Sequence, residues 1–135
     1  MRTGRRLAVA AFAVMVIFTM LGGVVSAHHS RAGYSKNSVT LRGVVKEIAW
    51  RNPHVWVVFG VKDDKGTVVQ WTGELSSVSS MLAAGMSKDS LRPGDEIIVT
   101  AVPAKGGLPQ SLIRKVVKTD GSVVVDMTRR NIREP

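Results

Sequence analysis

The chain holds three histidines, His28, His29 and His54, and no cysteine, so metal chemistry would have to run through imidazole, carboxylate, thioether or backbone nitrogen. His28 and His29 follow directly on Val25-Ser26-Ala27, where Val25 and Ala27 are placed as a signal peptidase requires. Cleavage after Ala27 would make His28 the first residue of the mature chain. Its α-amine and imidazole then offer two nitrogens from one residue, and His54 offers a third. Such a T-shaped set suits the tetragonal preference of Cu(II). On this reading His28 and His54 are ligands, and His29 is a spare ligand or supporting partner. Asn52 and Pro53 set the turn that presents His54, and Asn52, Glu74, Met81 or Met86 complete or support the site. The expected cofactor is copper. A plainer reading stands beside it: His54 is a half-buried strand residue bonded to a backbone carbonyl, and His28 and His29 merely flank a cleavage site.

A second set of residues, Trp50 with Arg51, Arg42 and Lys46, suggests a stacking platform, and Trp50 with Trp71 suggests an aromatic barrel face for an envelope glycan or protein. Trp56 and Trp71 also lie among apolar neighbours, where large aromatics fill small cores. Catalytic signals are weak. There is no cysteine nucleophile, no Gly-x-Ser-x-Gly elbow, no phosphate-binding glycine loop and no carboxylate pair spaced for acid–base work. Asp63-Asp64 and Asp95-Glu96 sit in turns, where such residues usually serve the backbone. The expectation is a non-enzymatic binding or accessory protein.

These residues need a scaffold outside the cytosol. Arg2, Arg5 and Arg6 precede an apolar run from Leu7 to Leu21 broken only by Thr19, which is the layout of a secretory signal over residues 1–27. The run is short for a membrane span, so a periplasmic or secreted protein without a permanent anchor is expected. Cleavage lowers the formal charge from +9 by the three leader arginines. The remaining positive charge is spread singly or gathered in Arg129, Arg130 and Arg133, a solubilising pattern, and export removes nucleic acid as a natural partner.

Along the mature chain, residues 28–38 are aperiodic and read as an N-terminal arm lying over the domain. Val39 to Trp50 reads as a strand with Val39, Leu41 and Val45 on one side, and Gly43 marks a bend or bulge. A turn at Arg51-Asn52-Pro53 leads to a strand over His54–Val61 that is apolar on both faces, and Asp63-Asp64-Lys65-Gly66 turns the chain into Thr67–Gly73. Ser76 or Ser77 caps a short helix whose Val78, Met81 and Leu82 form one stripe, with Gly85 at its end. Leu91-Arg92-Pro93-Gly94-Asp95 precedes a strand over Glu96–Val102. A loop from Pro103 to Pro109 leads to Ser111–Lys118, and Asp120-Gly121 starts a return through Val123–Val125. This order predicts a mainly β fold: a small OB-like five-stranded barrel over residues 39–126, with one short helix between strands three and four. Residues 127–135 read as a disordered basic tail.

Four segments, Ala27-His28-His29-Ser30, Trp50-Arg51-Asn52-Pro53-His54, Trp71-Thr72-Gly73-Glu74-Leu75 and Leu91-Arg92-Pro93-Gly94-Asp95, resemble a family of small exported bacterial proteins of unestablished function. The most specific element is Trp-x-Asn-Pro-His. The resemblance runs from Ala27 to about Val125; it implies export and the barrel, and adds no activity.

Overall fold

The computed structural model describes residues 33–128, all within one unit, Arg31–Pro135. The expected leader, His28 and His29 lie outside the described residues, as does the expected 127–135 tail from Arg129 onward; its first residue, Met127, packs against the core and donates from N to Arg114 O at 2.8 Å. Six strands follow in order: β1 (Val39–Ala49), β2 (Trp56–Lys62), β3 (Val68–Glu74), β4 (Glu96–Pro103), β5 (Gln110–Lys118) and β6 (Val123–Asp126). A single α-helix among the described residues, α1 (Val78–Ala83), lies between β3 and β4. The sheet order is β3-β2-β1-β4-β5-β6, and β3 also pairs with β5. That last pairing is parallel, Thr72 to Gln110, Gly73 to Ser111 and Glu74 to Leu112, and it closes β1–β5 into a five-stranded barrel. The expected OB-like barrel is the observed one, with β6 added as a hairpin on β5.

Alternation decides which side chains fill it. In β2, Val57 and Phe59 point inward and are fully buried, whereas Trp56 and Val58 lie half-buried on the outer face. The two-sided enclosure expected for this strand is therefore incomplete. Val45, Ile97, Val99, Ala101, Ile113, Val116 and Val125 complete the inner surface. Gly43 is needed for proximity: a Cβ there would lie 2.6 Å from the Gly60 carbonyl oxygen and 2.9 Å from the Phe59 ring. The β1 bulge falls two residues further on, between Val45 and Glu47. There the Pro93-Gly94 turn grips β1, Val45 N donating to Asp95 O at 2.9 Å and Gly94 N to Val45 O at 2.9 Å.

The helix is too short to persist on propensity, so packing must hold it. Ser77 caps it by accepting from Ser80 N, and Met81 is driven completely into the core together with Met86 and Leu91. Gly85, at φ +86°, ends it in the left-handed region as expected. The stripe differs from expectation at one residue. Leu82 is 56% exposed, because Met81 and the half-buried Val78 already occupy the inward side of so short a helix.

Candidate functional site: a histidine held by a buried-edge carboxylate

His54 stands just before β2, and several anchors define its place. Asn52 Oδ1 accepts from Val78 N at 3.1 Å, tying the preceding turn to the first turn of α1. The Asn52–Pro53 peptide is cis. Val55 N donates to Ser76 O at 3.0 Å and Leu75 N donates to Val55 O at 2.8 Å, so the β2–β3 ladder continues past the ends of both strands. Alternation then sends Val55 inward and His54 outward, to the face where Trp56 lies directly opposite Glu74.

The Glu74 side chain meets His54 there: Nδ1 lies 2.8 Å from Oε1, with the two side chains 21% and 15% exposed. A carboxylate has only lone pairs to offer at this contact, so Nδ1 carries the proton. In the neutral ring the lone pair consequently sits on Nε2. This is the arrangement by which a carboxylate fixes the tautomer and orientation of a metal-binding imidazole. The other carboxylate oxygen, Oε2, accepts a long hydrogen bond from the Tyr34 hydroxyl at 3.5 Å. Tyr34 belongs to the arm, which is pinned at this point to the end of β4: Tyr34 forms an antiparallel bridge with Ala104, and Ser35 N donates to Pro103 O at 2.8 Å. Burial, and then the negative charge and hydrogen bond of Glu74, push the Tyr34 phenol above its ordinary value, so it stays a donor.

The residues singled out in the sequence distribute unequally. His54 and Glu74 meet, and Asn52 and Pro53 form the turn before them, both exposed. Trp50 and Trp71 are partly buried and pack against the core, Trp71 opposite Phe59, so each ring has an apolar face turned to the interior. Met81 and Met86 are core residues. Among the described residues no three histidine, cysteine, aspartate or glutamate side chains cluster as a metal site. His54 and Glu74 make up two such groups, and His28 and His29 lie outside the described residues. Tyr34 escaped the sequence reading. It is the chain's one tyrosine, and nothing local marks it, since its partner is 40 residues away.

An OB-like closed barrel bearing an outward histidine held by a strand carboxylate is the class that fold and site define. The chain belongs to the family of unknown function DUF6152, whose model matches residues 17–113. That span contains the Trp50–His54, Trp71–Leu75 and Leu91–Asp95 segments and ends within β5. No curated protein matches the chain.

Proposed function

We propose that this protein is an exported, non-enzymatic copper-binding protein in which His54 is a ligand through Nε2 and Glu74 orients it. The observation that supports this reading is the 2.8 Å contact between His54 Nδ1 and Glu74 Oε1, the kind of carboxylate contact that fixes the tautomer and orientation of metal-binding imidazoles. Removal of a leader after Ala27 supplies the other nitrogens: the His28 amine and imidazole bind the ion, and His29 serves as a further ligand or supports them. Chain length permits this. His28 precedes Tyr34 by six residues, a reach of up to about 20 Å when extended, and Tyr34 is one carboxylate removed from His54. Cu(II) fits a set dominated by nitrogen.

The test compares the chain beginning at His28 with the same chain carrying one extra residue in front, each titrated with Cu(II) by calorimetry and followed by electron paramagnetic resonance. The extra residue removes the terminal amine from His28, so affinity should drop and the resonance should change. Equal affinity and identical spectra would overturn the role of the amine. His54→Ala should weaken binding by at least about tenfold, near 1.4 kcal/mol. Unchanged affinity in that variant would remove the site from the barrel.

A further inference from the structure

We infer that Tyr34 is a positioning residue that sets the geometry of the Glu74–His54 pair. What the site binds rests on the copper reading; the positioning role does not. Glu74 sits where the barrel closes, its backbone opposite Leu112 of β5, while His54 comes from the other neighbour of β3. Tyr34 reaches the same carboxylate from β4, with its backbone bridged to Ala104. The hydroxyl therefore reaches from the end of β4 across β5 to the carboxylate on β3. A carboxylate on a three-bond side chain has rotamers to choose among, and a contact to one oxygen alone leaves it free to turn. With Oε2 occupied by Tyr34, Oε1 is the oxygen left to face Nδ1. At 3.5 Å the hydroxyl contact is weak, and its effect comes from where the backbone holds the ring more than from the strength of the bond.

The experiment is long-range ¹⁵N correlation spectroscopy of His54 in the metal-free chain beginning at His28, which retains every described residue. The parent should show the Nδ1–H tautomer. Tyr34→Phe keeps the ring and removes the hydroxyl, and should give a mixture of tautomers with its melting temperature nearly unchanged. A purely structural anchor would lower the melting temperature and leave the tautomer alone; that result overturns the inference. Glu74→Gln supplies the second variant. Its amide can accept from Nδ1 while its NH₂ donates to the Tyr34 oxygen, so the tautomer should persist, and it should be lost when Tyr34→Phe is added. A double variant indistinguishable from Glu74→Gln alone also overturns the inference. Cu(II) affinity, measured on the same proteins, should fall about threefold or more in Tyr34→Phe. If the parent binds no Cu(II), the copper reading fails, and the tautomer readout still decides the role of Tyr34.

Discussion

Two carboxylates at strand ends, Glu74 and Asp95, each follow a glycine and each pair with a potential cation, yet they do different work. Asp95 Oδ2 lies 3.0 Å from Lys118 Nζ and accepts from Arg92 N at 3.0 Å, so it closes its own turn and staples β4 to β5. Asp63, Asp120 and Asp126 behave alike, each accepting a backbone N–H within four residues. Glu74 spends its two oxygens on side chains 20 and 40 residues distant. An acid that serves no turn and orders two remote polar groups is better explained by what it presents than by what it supports. The preceding glycines differ in the same sense. Gly94 is required by its backbone, at φ +94° with open space where a Cβ would go. Gly73 is required by its neighbours, since a Cβ would fall 2.3 Å from the Ile113 Cδ1 methyl.

The largest effect expected from breaking this contrast is at Gly73. Gly73→Ala should destabilise the barrel by about 1–3 kcal/mol in urea unfolding, because Ile113 must move within a packed core, and Ile113→Val should restore part of that. A comparable loss at Gly94→Ala should find no side-chain rescue. Next, Glu74→Leu should weaken Cu(II) about tenfold, near the lower end for loss of a carboxylate that orients a ligand, whereas Asp95→Asn should leave it unchanged. Equal effects at both positions would erase the distinction. The smallest effect is on stability at Asp95. Lys118 first, and the Arg92 backbone N–H second, hold its carboxyl below the ordinary value of 3.8. Its contribution is therefore complete above the unfolded-state value and disappears as pH falls through the lower folded value. Asp95→Asn should cost under about 1 kcal/mol at neutral pH. The gap from the parent should close as pH falls below the ordinary carboxylate value and shrink in high salt.

Much of the barrel was legible because strands announce themselves by alternation, as Val39, Leu41 and Val45 do against the exposed Thr40, Arg42 and Lys46. The second strand, apolar on both faces in the sequence, showed its place but not which of Val57 and Phe59 or Trp56 and Val58 would face inward. Gly85 and the serine pair Ser76-Ser77 marked the helix ends through backbone and capping chemistry that is local, with Ser77 the one that caps. Leu82 was misplaced, because a six-residue helix with Met81 at its inward centre has no need of a broad stripe. Gly43 was recognised as special, but for bending, when the cause is a neighbouring strand that no single segment reveals. The same limit governs the site. His54 and Glu74 each stood out in a motif, but their meeting depends on the register that sets Trp56 opposite Glu74, and Tyr34 arrives through a bridge to Ala104 that its own surroundings do not encode.

The barrel is joined along its last side by only three paired positions, Thr72–Glu74 against Gln110–Leu112, and Glu74 is one of them. Unzipping that short joint would separate the carboxylate from its surroundings while the longer antiparallel ladders stay intact. Fluctuations far milder than global unfolding would then suffice to slacken the imidazole, so ligand exchange there would be governed by the breathing of a single seam.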